Sequence, residues 1–266
     1  MAVELARGQA TGSFCWTELH TTDVASAKTF YGNVLGWAFE DLPIDENMSY
    51  TMARVGDKNV AALQPQMPDE LKMGAPPNWF NYVAVDSADK FAAKVKELGG
   101  QVYAEPFDVM DAGRMAVVAD PTGAVFGLWQ TGKHGGADLV AGEPGSMTWN
   151  ELYTNDTAKA GAFYTGLFGY ATDTMDMQDG NTYTIFLSKD PVNPREAGMF
   201  DPKQGFPSFW QTYFSVADCD ATFKKALAGG AQELMPPTDI PPGRFAILKD
   251  PQGAAFAILK LNPPQA

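Results

Sequence analysis

The sequence predicts an α+β protein of four βαβββ modules, arranged as two tandem domains. Three observations carry that prediction. Residues 12–37 and 145–170 agree at 12 of 26 positions at a constant spacing of 133, including Trp16/Trp149, Glu18/Glu151, Asp23/Asp156, Tyr31/Tyr164 and Gly36/Gly169. Residues 113–129 and 243–259 agree at 8 of 17 positions, with Asp-Pro-x-Gly in both. Within each half, a strand and a helix followed by further strands occur twice. A period this long exceeds a solenoid repeat and marks a duplicated compact domain.

Residues 14–20 alternate, with Trp16, Glu18 and His20 on one face and Cys15, Thr17 and Leu19 on the other, as a strand does. Asp23 supplies an N-cap, and Ala27, Phe30, Tyr31 and Val34 follow at helical spacing until Gly36. Residues 37–41, 50–55 and 60–64 read as strands, and 65–77 as a Pro- and Met-rich connector. The second module has a strand at 79–85, a helix at 88–98 and strands at 102–106, 115–119 and 125–130. A tight turn at 120–123 joins the last two strands. After a Gly-rich linker at 131–145 the order repeats: strand 147–153, helix 158–168, strands 171–177, 183–188 and 197–200. Then come strand 210–216, helix 221–227 and strands 244–249 and 254–260. The domains are therefore residues 1–135 and 144–266.

Apolar content of 45% and charged content of 19% describe a globular chain able to bury a core. The longest apolar runs fall far short of a bilayer span, and residues 1–12 lack a signal-peptide pattern. Two distant cysteines make no disulfide framework. The expected location is cytoplasmic, with no membrane partner, as a monomer or homodimer. A net charge of −13 with no basic stripe argues against nucleic-acid binding.

The helix motif D-x-x-x-A-x-x-F-Y-x-x-x-x-G and the D-P-x-G before the last strand, each present twice, resemble the glyoxalase, bleomycin-resistance and extradiol-dioxygenase group, the vicinal oxygen chelate proteins. The resemblance covers nearly the whole chain. It implies that paired modules curl into glyoxalase-like half-barrels around a cleft for a ligand or metal. Members of the group isomerise hemithioacetals, cleave catechols, epimerise acyl-CoAs or sequester drugs, so fold alone does not choose the chemistry.

Metal-using relatives place ligands on the first strand of each module and late in the domain's last strand. Those positions hold Trp16, Phe80 and Gly127 in the first half and Trp149, Gln211 and Ala257 in the second. A two-histidine, one-carboxylate site needs imidazole and carboxylate donors there. The expectation is no family-type metal and no cofactor. His134 falls in the linker, where the expected state is solvated. A displaced metal site using Glu18 and His20 is a minor alternative, because Tyr153 stands opposite His20 in the repeat.

If the Trp16 face looks into the cleft, as the resemblance implies, the first half lines it with Trp16, Glu18, His20, Phe80, Tyr82 and Trp129, with Arg114 near the mouth. The second half offers Trp149, Glu151, Tyr153, Gln211 and Tyr213, with Arg244. Aromatic walls with a few polar groups suit a small, flat or partly apolar organic ligand. Residues 106–113 and 236–243 read as lids or stiff turns. Glu18 and Glu151 are the recurring ionisable groups of that strand. Each is read either as a general base or, with more weight, as an ion pair with Arg114 or Arg244. The expected function is small-molecule binding in an aromatic cleft. The alternative is a glyoxalase-like lyase or isomerase, or a dioxygenase-related enzyme, using Glu18 or Glu151 as base.

Overall fold

The computed structural model describes residues 10–44, 48–72, 74–139, 141–177, 180–189, 194–203 and 205–263. Residues 1–9, part of the stretch scanned for a signal peptide, lie outside them. The first half runs β1 (Phe14–Thr21), α1 (Val24–Leu35), β2 (Ala38–Pro43), β3 (Ser49–Val55), β4 (Lys58–Pro65), α2 (Pro68–Lys72), β5 (Asn78–Ala84), α3 (Ala88–Glu97), β6 (Gln101–Val109), β7 (Gly113–Ala119) and β8 (Val125–Thr131). The second half runs β9 (Met147–Tyr153), α4 (Thr157–Phe168), β10 (Ala171–Asp176), β11 (Thr182–Leu187), β12 (Arg195–Phe200), β13 (Phe209–Ser215), α5 (Cys219–Ala228), β14 (Gln232–Ile240), β15 (Gly243–Lys249) and β16 (Ala255–Leu261).

Each half forms one mixed eight-stranded sheet, in the orders β2-β3-β4-β1-β5-β8-β7-β6 and β10-β11-β12-β9-β13-β16-β15-β14. The fold is α+β, with the four modules the repeats predict. Among the described residues no helix is long and apolar enough to cross a membrane.

The caps explain why the first-module helices recur. Asp23 accepts from the Ser26 N–H and Asp156 from the Lys159 N–H, satisfying otherwise orphaned first-turn donors. Gly36 and Gly169 close the same helices at φ 75°, a left-handed conformation that glycine adopts without strain.

Two stretches depart from expectation. The connector after β4 contains the short helix α2, which the proline and methionine content obscured. The segments read as lids are mostly strand. In the first, Asp108 pairs with Arg114 and Val109 with Gly113; in the second, Asp239 pairs with Arg244 and Ile240 with Gly243. Bulges shift the register of β6 and β14, which is why simple alternation fails there.

The chain divides into two compact units, and each draws one module from each half. One takes Met1–Trp16, Asn81–Gly136 and Trp149–Gln211; the other takes Thr17–Phe80, Ala137–Thr148 and Thr212–Ala266. Each unit has its own core. In the Thr17–Phe80 unit, Tyr31 packs among Phe30, Trp37, Trp79 and Phe256. In the other, Tyr164 packs among Phe126, Phe163, Phe186 and Trp210. The buried Trp79 indole donates to Tyr31 Oη (3.0 Å), which donates to Asp250 Oδ2 (3.0 Å). Trp210 likewise donates to Tyr164 Oη (2.9 Å). Burial, then the charge of nearby Asp120, pushes the Tyr164 phenol well above its usual range.

Candidate functional site

In the Thr17–Phe80 unit the decisive strand is β1. Leu19 enters the core with Ala27, Phe30 and Leu63. Strand alternation therefore sends Glu18 and His20 to the opposite face. Parallel pairing sets Glu18 beside Ala62 and His20 beside Gln64 on β4. Glu18 accepts from Tyr50 Oη (2.5 Å) on β3 and from Gln64 Nε2 (2.9 Å). Gln64 Nε2 is also 2.8 Å from His20 Nε2, and His20 Nδ1 is 2.6 Å from Glu70 Oε1 on α2. The Phe80 ring stacks on the imidazole at 5.4 Å and 22°. Glu18 and His20 are each only 7% exposed. The result is a hydrogen-bonded chain, Tyr50–Glu18–Gln64–His20–Glu70, on one sheet face.

Its electrostatics follow from two carboxylates flanking one imidazole. Burial alone would lower the His20 pKa, but the hydrogen bonds and charges of Glu18 and Glu70 outweigh it and raise the ring from 6.5 to about 9. Burial pushes the Glu70 carboxyl up, and the His20 hydrogen bond and charge more than reverse this, holding it below its ordinary value. The short approach of Gln64 Nε2 suits a neutral ring with Nε2 accepting. The charge balance nevertheless favours the imidazolium, because a charge-assisted bond to Glu70 outweighs a neutral amide contact. In that state the ring Nε2–H faces the Glu18 carboxylate, 3.5 Å away.

The other unit carries two aromatic groups. Trp16, 3% exposed, meets the His134 ring edge-on at 4.5 Å. Trp129 lies 6.0 Å from Tyr82 and 5.8 Å from His134, and its indole donates to the His134 carbonyl. The expectation of a solvated His134 is thus overturned. The linker is fastened back by the N–H groups of Gly132 and His134 to the Ala112 carbonyl, which lays the imidazole on Trp16. On β9 the duplicate Glu151 accepts from Tyr183 Oη (2.7 Å), and the Trp149 indole donates to the same oxygen (3.0 Å). Tyr153 packs against Phe200 and Phe209. Gln211 and Tyr213 are buried on β13, in different compact units, and Tyr213 lies 6.1 Å from Phe245.

Arg114 and Arg244 are not where the sequence reading set them. Arg114 shares the β7 face of Ala116 and Val118, which enter the core, and it is ion-paired with Asp89 (2.8 Å) and Asp108 (2.9 Å). Arg244 is ion-paired with Asp220 (2.7 Å) and Asp239 (2.9 Å). The ion pairs expected with Glu18 and Glu151 are replaced by these local ones. Residues 89 and 220 open the second-module helices, so each arginine ties a hairpin to a helix start. Sequence reasoning also missed Tyr50, Gln64, Glu70 and Tyr183 as site residues. A signal existed for one pair: Tyr50-Thr51 and Tyr183-Thr184 lie 133 apart, as Glu18 and Glu151 do.

The residues at the expected ligand positions do not suit a divalent metal. Trp16 and Phe80 carry no metal donor, and Gly127, paired with Tyr82 across β5 and β8, carries no side chain. The second half offers only the Gln211 amide among Trp149 and Ala257. Among the described residues no group of three His, Cys, Asp or Glu converges to hold a metal.

The family model for the Glyoxalase/Bleomycin resistance protein/Dioxygenase superfamily matches residues 13–128 and again 146–258. The chain is 44% identical over 254 residues to "Putative glyoxylase CFP32" of Mycobacterium tuberculosis (strain CDC 1551 / Oshkosh), covering 94% of this chain and 95% of that protein. It is 35% identical over 264 residues to "Anthracycline biosynthesis protein DauV" of Streptomyces sp. (strain C5), covering 95% and 94%. Among solved structures, an extradiol ring-cleaving dioxygenase from B. fuscum aligns with a TM-score of 0.66 at 18% identity, covering 97% of this chain and 74% of that one, a likeness of fold. With one family match in each half and two eight-stranded sheets of four modules, the chain belongs to the glyoxalase/bleomycin resistance protein/dioxygenase superfamily.

Proposed function

We propose that this chain binds a small, flat organic molecule on the β1–β4 face that carries Glu18 and His20, without the divalent metal of metal-using relatives. The observation that carries the reading is the Tyr50–Glu18–Gln64–His20–Glu70 chain, a pre-set row of hydrogen-bonding groups beside Phe80. A ligand meets one aromatic surface and a polar edge whose charge is fixed in advance. The relatives named for anthracycline biosynthesis support a polycyclic, flat ligand. The protein is proposed to act in the cytoplasm.

A thermal-shift panel of flat aromatic and polycyclic compounds tests this on the purified chain. Saturable stabilisation that is lost in Glu18→Gln is expected. A panel that stabilises nothing would sink the reading. Elemental analysis is the second arm: stoichiometric bound Ni, Zn, Mn or Fe would overturn metal independence.

A second reading, an enzyme using Glu18 as base, is favoured by one observation. His20 Nε2 lies 3.5 Å from Glu18 Oε2 and its Nδ1 2.6 Å from Glu70 Oε1, so a proton taken up at Glu18 can pass by way of the imidazole to Glu70. A hemithioacetal turnover assay, with and without added Ni²⁺ or Zn²⁺, addresses it. Activity without metal that falls at least 100-fold in Glu18→Gln supports Glu18 as base, about the lower end of what general-base catalysis contributes. Any turnover unchanged in that variant removes Glu18 from the chemistry.

A further inference from the structure

The short helix α2 is held to its sheet by very little. None of its five residues is buried, Leu71 is 55% exposed, and Met67, just before the helix, is 44% exposed. Its backbone bonds stay inside the segment, from the Leu71 N–H to the Met67 carbonyl and from the Ala75 N–H to the Glu70 carbonyl. A helix of little more than one turn has no stability of its own in water. Among the described residues one side-chain bond ties α2 to the sheet, the 2.6 Å contact between Glu70 Oε1 and His20 Nδ1.

That bond joins a buried group to an accessible one. The His20 side chain is 9% exposed and that of Glu70 21%, so solvent reaches the carboxylate but hardly the ring. The imidazolium lies between the carboxylates of Glu18 and Glu70, with the Gln64 amide and the Phe80 ring as its other neighbours. Removing one partner from a buried charge is strongly unfavourable, so whatever displaces Glu70 must itself bring negative charge. A neutral carbonyl or hydroxyl fails that requirement. A carboxylate meets it, because the exchange leaves the charges around the ring unchanged. Glu70 loses little by leaving, since its Oε2 keeps the Met67 N–H (2.7 Å) and its other oxygen turns to water.

We propose that Glu70 holds the place of a ligand's carboxylate. The molecule bound on the Glu18–His20 face is then an aromatic carboxylic acid, whose carboxylate takes over His20 Nδ1 and frees α2. The proposal rests on the flat-ligand reading above and adds the ligand's charge and the group that receives it.

The test is calorimetric titration of the intact chain at pH 6 with 2-naphthoate and with its neutral counterpart, 2-naphthamide. Naphthoate is expected to bind at least about ten-fold tighter, because a charge-assisted bond to the imidazolium exceeds a neutral one. Glu70→Gln removes the competing charge and should bind naphthoate several-fold tighter than the wild-type chain does. His20→Gln should lose the preference for the acid. Should that variant fail to fold, the wild-type chain carries the test at pH 10, above the folded pKa of about 9, where the preference should vanish. Naphthoate should also speed tryptic cleavage after Lys72, as α2 leaves the sheet, and the amide should not. Equal affinity for acid and amide, no gain in Glu70→Gln, a preference that survives in His20→Gln or at pH 10, or an unchanged cleavage rate would overturn the proposal while the flat-ligand reading stands. If neither compound saturates the wild-type chain, the proposal falls, and the aromatic panel alone decides the reading above.

Discussion

Tyr31 donates a 3.0 Å hydrogen bond to Asp250, 219 positions further along the chain, inside one compact unit. The aspartate is the first residue of the second half's Asp-Pro-x-Gly turn, and its other oxygen accepts from the N–H groups of Gln252, Gly253 and Ala254. One side chain therefore shapes a turn in one half and anchors a helix of the other. This accounts for both sequence repeats at once: the Phe-Tyr of α1 and the Asp-Pro-x-Gly before the last strand are partners, exchanged between halves.

Tyr31→Phe is expected to destabilise the chain by about 2 kcal/mol, because it leaves the buried Trp79 indole and one Asp250 oxygen without their partner. Urea denaturation checks this, with a lowered midpoint and an unchanged slope. A loss below about 0.5 kcal/mol would mean that water or a shifted side chain replaces the hydroxyl.

His20 gives the fold a pH dependence whose direction can be worked out. Its folded pKa of about 9 lies above the ordinary 6.5, so the folded state holds the proton more tightly. The associated stability is complete below pH 6.5 and is lost as pH rises through 9. Glu70 acts in the opposite sense: its folded pKa is lowered, so its contribution is present above the ordinary glutamate range and lost as pH falls through the lowered value. The groups facing the ring are Glu18 of β1, Gln64 of β4, Glu70 of α2 and the phenyl of Phe80. Thermal melts from pH 6 to 10 are expected to show a falling midpoint above 6.5. The fall should flatten in Glu70→Gln, whose His20 resonances should titrate at lower pH.

The fold was largely legible because its determinants are local and stated twice. Asp23 and Gly36 bound α1 as Asp156 and Gly169 bound α4, and alternation assigns Leu19 to the core and Glu18 to the other face. The site was legible only as far as β1 and β9. The partner of His20 is Glu70, 50 positions away on a one-turn helix inside a stretch, 65–77, whose prolines and methionines read as connector. Arg114 was misplaced because its partners come from bulged β6 and from the start of α3, and a single strand's alternation reveals neither. His134 was misread because a polar residue among glycines resembles free linker. What fixes it is the backbone return to Ala112, which is invisible in composition.

The linker makes its own prediction at Gly136. Its φ is +105°, and a Cβ there would stand 2.5 Å from the Cys15 carbonyl oxygen. Gly136→Ala must both adopt a strained backbone and push β1 or the linker away, at a cost of about 1–3 kcal/mol. The Trp16–His134 contact lies two residues from the change, so tryptophan emission should shift to longer wavelength as Trp16 meets solvent. His134→Ala should give the same spectral shift with a smaller loss of stability, since it frees the ring without straining the chain.

Gly198 sets the placement of Tyr183. A Cβ at Gly198 would run into Tyr183 Oη and come within 3.1 Å of the Trp149 indole nitrogen. The first half seats Tyr50 on Glu18 with Ala62 at the same register, so the glycine answers to the closer seating of Tyr183, whose oxygen also accepts from the Trp149 indole. Burial, followed by the charge of Glu151, raises the Tyr183 phenol well above its usual range. Gly198→Ala forces the ring off Glu151 and into solvent, which removes both causes. Ultraviolet titration near 295 nm should then show one more tyrosine ionising around its ordinary pKa of about 10 than in the wild-type chain. Stability should fall by about 1–3 kcal/mol from overpacking. If the titration is unchanged while stability drops, the strand has moved instead of the tyrosine, and the Glu151–Tyr183 bond is the stiffer of the two.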